Sequence, residues 1–489
     1  MKALTKSNYL VGLECPRYLW IVFNQPEQIR KATLAEEFKF KEGDKAGQIA
    51  KMLFPEGIDL PTDYKENLKE SKESLKKKKP LFEAGFEFNN CFSRADILVP
   101  VGDKWDIIEV KSSTKVKDIN VHDVSFQKYV YEGNGLKIRK CFLLHLNKGF
   151  VKSGEIDVNN LFEKEDITGE VEKAIKGIDN QIKELFDFVS LKEPPKAGLS
   201  LVKVFKDGFH DCFSEGCVEL PENHVFCLYR GGKLSCELFE NGIETIKEIP
   251  EDIKLNGKQK IQRDCEINGK IFVDEKRINN FMKKLQYPLY YLDFETFSTS
   301  VPLFDGLKPY SQVCFQFSLH VVEEEGAEPK HYEFLYNGNK DPREDFVLAL
   351  KKVLGDKGSI VVYNQSFEIG RLKELAEHFP EHKEWVESVL KRIIDLLIPF
   401  REFSYYNPKQ EGSASLKAVL PAITGKSYKE LDGSIKDGGT ASVEFYNMAY
   451  EDVYSEDERE KIRGDLLKYC ELDTLAEMLI VNKLKEIVS

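Results

Sequence analysis

At 489 residues the chain exceeds one ordinary hydrophobic core and implies two domains or more. Its apolar share of 42% suffices for globular packing, and its formal net charge of −12 excludes a protein that coats nucleic acid by bulk positive charge, though not one with local cationic grooves. No apolar run is long enough for a membrane span, and Met1-Lys2-Ala3-Leu4-Thr5-Lys6 lacks the apolar centre of a signal peptide. The expectation is a cytoplasmic protein with no membrane partner, whose ten cysteines are reduced thiols or metal ligands.

Residues 7–23 read as an aromatic-rich helical stretch around Gly12-Leu13-Glu14-Cys15-Pro16-Arg17, and residues 39–54 as a second helix. Residues 64–79 are dominated by charge and end in Lys76 to Lys79. They read as a solvated helix and linker, with a phosphate-contacting arm as the alternative. Three strands follow, at 81–88, 92–101 and 105–112. Asp96 sits on the second; on the third, Glu109 and Lys111 alternate onto one face with Val110 behind them. Two such carboxylates can hold a metal while the lysine stabilises charge on an attacking water or a phosphate. Gln127 and Tyr131 fall one helical turn apart. A charged helix at 171–189 closes this domain, and Pro194-Pro195 marks a linker.

Cysteines then cluster: Cys212, Cys217, Cys227 and Cys236. Residues 231–274 read as short strands and turns, a small mixed connector. An apolar run at 287–292 enters the core as a strand and ends in Asp293-Phe294-Glu295, so the two acids share a face. Like charges held that close raise each other's pKa unless a cation lies between them, and Mg²⁺ is the usual partner. Residues 310–319 alternate like a strand paired with it. Residues 360–363 form an apolar strand opening into a helix through Asn364-Gln365-Ser366-Phe367-Glu368, and Asp395 ends a further strand as a supporting or hydrogen-bonding acid. Residues 413–420 and the Gly438-Gly439 turn are expected beside Tyr469, which lies one turn from Asp473 on an amphipathic helix ending near Ile487.

The Asp293/Glu295, Glu368 and Tyr469/Asp473 pieces, in this order, resemble the DEDDy branch of the RNase H-like 3′–5′ exonucleases over roughly the last two hundred residues. One departure is that Glu368 stands where the family carries Asp. The resemblance implies a two-metal site of Asp293, Glu295, Glu368 and Asp473 holding Mg²⁺ or Mn²⁺ about 4 Å apart. It also implies that Tyr469 positions the attacking water. Asp96, Glu109-Val110-Lys111 and the Gln127/Tyr131 helix resemble the RecB-like branch of the PD-(D/E)XK nucleases. That resemblance implies a metal on Asp96 and Glu109, charge stabilisation by Lys111, and substrate orientation by Gln127 and Tyr131. The histidine that often precedes these motifs has no counterpart, Gly47 lying nearest to its place. In some RecB-like nucleases an early and three late cysteines hold an iron–sulfur cluster, which here implies Cys15, Cys212, Cys217 and Cys227. Because Cys227 lies well beyond Cys217, ordinary buried thiols are the favoured reading.

The expected fold is therefore α/β: a restriction-endonuclease-like PD-(D/E)XK domain at 1–195, a cysteine-containing connector at 196–284, and an RNase H-like exonuclease domain at 285–489. The expected function is metal-dependent phosphodiester hydrolysis on DNA or RNA. The alternatives are a degenerate nuclease fold serving as a nucleic-acid or protein-binding scaffold, and a phosphohydrolase of small nucleotides.

Overall fold

The computed structural model describes residues 3–195, 219–428 and 435–489 of a mixed α/β protein with several sheets. The chain forms two compact units: Met1–Leu220 with Thr299–Ser311, and Pro221–Ser298 with Gln312–Ser489.

In the first unit β1 (Leu4–Thr5), β2 (Ile58–Asp59), β3 (Leu81–Phe88), β4 (Cys91–Val101), β5 (Lys104–Lys111), β6 (Ile138–Leu146) and β7 (Phe162–Asp166) make one sheet. Its order is β2-β3-β4-β5-β6-β7, with β1 parallel to the start of β4. The β3–β4 hairpin turns through Asn89 and Asn90 at φ 48 and 58, the left-handed pair that a two-residue hairpin requires. The helix Asp118–Gly133 connects β5 to its parallel neighbour β6 and packs Phe126 and Val130 into the core. The helix Leu34–Lys51 starts with a full capping box between Thr33 and Glu36. Its buried Glu42 accepts from the Ser300 amide, and Val301 joins Ala50 and Phe82 in one apolar cluster. Past the short turn Leu75–Lys77, Lys78 folds back over the Trp105 ring at 5.2 Å. The single helix expected at 171–189 is two, Thr168–Ala174 and Ile178–Val189, separated at Gly177.

In the second unit the segment expected as short strands and turns is mainly helical. Lys233–Glu240 and Gly257–Asn268 are helices, and only β8 (Phe272–Val273) is extended. The second helix has little apolar periodicity; its signal is the Asn256/Gln259 capping box and the left-handed Gly269 that stops it. Cys227 lies in a 3₁₀ turn, Val225–Cys227, rather than in a strand.

The main sheet of this unit has the order β11-β10-β9-β12-β13, from β9 (Leu289–Phe297), β10 (Val313–Val322), β11 (Lys330–Leu335), β12 (Ser359–Val362) and β13 (Ile393–Asp395). β10 runs antiparallel to β9 and β11, while β12 is parallel to β9 and β13. β14 (Tyr405–Tyr406) pairs with β8. The last helix, Glu456–Val488, begins well before Gly464, at a Ser455/Glu458 capping box. No helix among the described residues is long and apolar enough to cross a membrane.

Candidate functional site

Strand β9 delivers Asp293 and Glu295 to one face and turns Phe294 into the core, edge-on to Phe346. The helix Glu456–Val488 is tied to the sheet by Gln316, whose Nε2 donates to the Leu466 carbonyl at 2.7 Å. Along that helix Tyr469, Asp473 and Glu477 recur at every fourth position and form one stripe. One carboxylate oxygen from each of Asp293, Glu295 and Asp473 lies within 4.8 Å of the others. Glu368 enters from the first turn of the helix Ser366–His378, buried, its Oε2 without a hydrogen-bond partner among the described residues.

Nearly every acid here is poorly compensated. Burial, then the charges of Asp473, Glu295 and Glu368, push Asp293 well above the usual carboxylate range. Burial and Asp473 do the same to Glu295. Burial raises Glu368 to about 8 and Asp473 to about 6. Sequence reasoning stopped at Asp473 and missed Glu477, one turn further on. Glu477 is 1% exposed; burial, then Asp293, Glu368 and Asp473, push its pKa well above the usual carboxylate range against the easing effect of the Tyr363 backbone.

Lys417, from the helix Leu416–Thr424, is the neighbouring cation. Its Nζ donates to Lys436 O at 2.6 Å and to the Tyr469 hydroxyl at 3.2 Å. Burial and the Asp473 charge keep the Tyr469 phenol protonated far above its ordinary range. The Tyr428 hydroxyl donates to Asp473 Oδ1 at 2.6 Å. Gly438 opens the helix Gly438–Tyr450; a Cβ there would stand 3.7 Å from Glu295 Oε2. Cys470 is wholly buried and lies 3.6 Å from Asp293 Oδ2. Asp395 is a hydrogen-bonding residue: its Oδ1 accepts from the amides of Asn364 and Leu397, each at 3.0 Å. An all-oxygen set with several buried carboxylates and one nearby lysine fits a hard divalent cation.

The first unit gathers a differently balanced set. Asp96 Oδ2 accepts from the Val110 amide at 2.7 Å, and burial with the Glu109 charge raises its carboxyl to about 7. Glu109 Oε1 takes Lys111 at 2.6 Å and Lys6 at 2.8 Å, and its Oε2 takes Gln127 at 2.6 Å. Burial alone would raise Glu109, but Lys111 and Lys6 outweigh it and hold the carboxyl well below its usual range. Asp123 completes the network, accepting from Lys111 at 2.7 Å and from Gln127 at 2.9 Å. Lys6 escaped the sequence reading because no motif spacing marks it, whereas Asp123 stands one helical turn before Gln127, a spacing that could have found it. Glu83, at φ 59, sits in a register gap of β3 opposite Asp96.

Two residues expected to orient substrate are instead internal. Gln127 is fully buried and directs its amide onto Glu109 and Asp123. Tyr131 is fully buried, its hydroxyl receiving the Ala95 amide at 2.8 Å and donating to the Ala84 carbonyl, so it ties β3 to β4. A cavity of about 500 Å³ opens on the network, lined by Lys6, Lys39, Lys51, Glu83, Asp96 and Lys111, among others. Gly47 also lines it, where a histidine was sought. Of the cysteines considered for a cluster, Cys212 and Cys217 lie outside the described residues. Cys15 is disulfide-bonded rather than a free thiol, and its Sγ caps the helix Pro16–Asn24 by accepting from the Tyr18 amide at 3.1 Å; Cys227 Sγ lies 3.4 Å from His224 Nε2.

Residues 290–415, which span Asp293, Glu295, Glu368 and Asp395, match a family described as a domain of unknown function (DUF2779). The chain is similar to the "Uncharacterized protein MG366 homolog" of Mycoplasma pneumoniae, 30% identical over 232 residues, which are 44% of this chain and 34% of that protein. It is likewise 30% identical to "Uncharacterized protein MG366" of Mycoplasma genitalium over 44% of this chain and 35% of that one. It is 26% identical to "Uncharacterized protein UU173" of Ureaplasma parvum over 45% of this chain and 34% of that protein. The chain thus spans about a third of the length of these curated relatives, and none of the descriptions names an activity.

Proposed function

We propose that this protein is a metal-dependent nuclease hydrolysing phosphodiester bonds in DNA or RNA. In this reading the second unit is an RNase H-like domain with a DEDDy-type 3′–5′ exonuclease site. The first unit is a RecB-like PD-(D/E)XK domain with a second nuclease site.

The observation that carries the reading is the trio Asp293, Glu295 and Asp473, with carboxylate oxygens within 4.8 Å of one another, near enough to buried Glu368 for its charge to act on Asp293, and joined by the Tyr469–Lys417 pair. These four acids would hold Mg²⁺ or Mn²⁺. Bound there, the cations supply Lewis-acid neutralisation of the charge that builds on the phosphoryl oxygens. The protonated Tyr469 hydroxyl is a hydrogen-bond donor fixed in direction by Lys417, and it orients the water that attacks phosphorus. Lys417 adds positive charge beside the phosphate. The 3′-terminal nucleotide leaves as a nucleoside monophosphate. In the first unit Asp96 fits a metal, whereas Glu109 fits one only when Lys6 Nζ withdraws from Oε1.

Purified protein with Mg²⁺ or Mn²⁺, incubated with end-labelled single-stranded DNA, duplex DNA and RNA, tests this. Mononucleotide release that EDTA stops is expected. Intact substrates with both metals, alongside retained binding of the strands, would favour the scaffold reading.

A further inference from the structure

Beside the acidic centre, on the same face of the sheet, lies a second group of different chemistry. His320 on β10 and His331 on β11 are register partners, and their rings stack at 4.5 Å. Glu471, from the helix Glu456–Val488, reaches the pair, its Oε1 3.8 Å from His331 Nδ1. One ligand-capable atom from each of the three residues lies within 4.8 Å of the others.

Starting from the Thr474–Glu471 bond, one self-consistent arrangement of the hydrogen bonds assigns the protons of both rings. Thr474 Oγ1 donates to the Glu471 carbonyl at 3.0 Å, which uses its only hydrogen. Toward its other two neighbours Thr474 therefore accepts: from Ser318 Oγ at 2.8 Å and from His320 Nδ1 at 2.8 Å. Ser318 has then spent its own hydrogen, so toward His331 Nε2, at 2.9 Å, it can only accept. Both neutral rings are thus protonated on the nitrogen facing the hydroxyls, leaving bare lone pairs on His320 Nε2 and His331 Nδ1. A hydroxyl or carbonyl that fixes the far ring nitrogen is what orients a metal-binding histidine. His320 is 5% exposed, and burial followed by His331 lowers its pKa to about 4, so the ring is neutral near pH 7.

We propose that His320 Nε2, His331 Nδ1 and the Glu471 carboxylate form a binding site for a borderline divalent transition metal, Zn²⁺ above all, separate from the oxygen-only acidic centre. Two imidazoles and one carboxylate suit Zn²⁺, Co²⁺ or Ni²⁺ rather than Mg²⁺, and three protein ligands leave a position for water. The metal joins the β10–β11 hairpin to the helix that carries Tyr469 and Asp473. Ser318, which holds His331, is itself the register partner of Asp293. The inference does not depend on the nuclease reading, since its test reads metal binding alone.

The test is titration of the full chain with Zn²⁺ against a chromophoric chelator, and with Co²⁺ followed by visible ligand-field absorption. The background carries Asp293→Asn, Asp473→Asn and Asp96→Asn to silence the acidic groups of both units. One equivalent of Zn²⁺ is expected, weakened at least tenfold by His331→Asn and by about ten- to a hundredfold by Ser318→Ala. His331 lies on the edge strand β11 and is partly exposed, so its replacement leaves the core intact; an unchanged metal-free melting temperature checks this. Cys227→Ser and Cys236→Ser should not change the affinity. Absence of an equivalent of Zn²⁺, or binding that survives His331→Asn but falls with a cysteine replacement, would overturn the assignment.

Discussion

Glu477 lies one helical turn beyond Asp473 on the last helix and is 1% exposed, the Tyr363 backbone easing a carboxyl that burial, Asp293, Glu368 and Asp473 push upward. A carboxylate buried next to Asp293, Glu368 and Asp473 in this way is tolerated only as a neutral acid or beside a cation. Glu477→Gln keeps the shape and removes the charge. At pH 8 the metal-free variant should be more stable than the parent by about 1–3 kcal/mol, and the gain should shrink at pH 5. Mn²⁺ affinity should fall. Urea unfolding at both pH values checks the first point and a Mn²⁺ titration the second. Lower stability at pH 8 would show that Glu477 has a partner that its amide cannot satisfy.

The pH dependence of the whole protein follows from the same electrostatics. Glu368 moves from 4.5 to about 8 and Asp473 from 3.8 to about 6 on folding, so between these limits the folded state binds more protons than the unfolded one. Above about pH 6.5, where the lowered His320 no longer opposes them, these groups should make the stability of the metal-free protein fall as pH rises to about 8, by up to about 1.4 kcal/mol per pH unit for each group still titrating. Saturating Mg²⁺ should flatten that slope and raise the melting temperature more at pH 8 than at pH 6. Differential scanning calorimetry with and without Mg²⁺ reads it directly; a metal-free melting temperature that climbs through this window would contradict the electrostatics described.

Tyr469 and Lys417 make a separable prediction. Because the phenol stays protonated, it does not act as a base, and Tyr469→Phe should lower the rate by about a hundredfold through misplacement alone. The pH profile should keep its shape. Lys417→Met should act in the same direction while leaving the Tyr428–Asp473 hydrogen bond in place. A shifted pH optimum in Tyr469→Phe would instead assign the residue a titrating role.

In the first unit Lys6 and Lys111 both compensate buried Glu109. Lys111→Ala should remove any cleavage that belongs to this unit and spare 3′-end trimming at the Asp293 site. The double variant Lys6→Met with Lys111→Met should lose about 3–5 kcal/mol, because Glu109 and Asp123 are left buried without a countercharge. Adding Glu109→Gln should return much of that loss. Denaturant midpoints of the three proteins decide it, and a double variant as stable as the parent would remove these lysines from the balance.

The strands that carry the acids were legible because period-2 alternation of apolar and polar residues is a local property. β3 is found at the expected residues, β4 and β5 within one residue, and the antiparallel β9–β10 pairing matches the alternation around Cys314 to Ser318. Spacing placed Asp293 and Glu295 on one strand face and Tyr469 and Asp473 on one helix face; that the two pairs belong together was implied only by the resemblance. Lys6 and Lys417 were not legible: each reaches its site across a long sequence separation, and a surface lysine reads the same way. Glu477 was within reach, four residues past Asp473, but a helix acid draws no notice until its burial is known. Gln127 and Tyr131 were found as a pair, yet their roles depend on facing inward, which spacing does not reveal. The helix Gly257–Asn268 was missed because its caps, rather than its apolar pattern, define it.

The most direct measurement is release of mononucleotides from a 3′-labelled single strand by Asp293→Asn beside the parent protein, with Mg²⁺ or Mn²⁺. Removing one of a set of mutually repelling acids should leave the fold intact and the melting temperature unchanged or higher. The account predicts EDTA-sensitive trimming by the parent and none by the folded variant; trimming by Asp293→Asn at the parent's rate would contradict it.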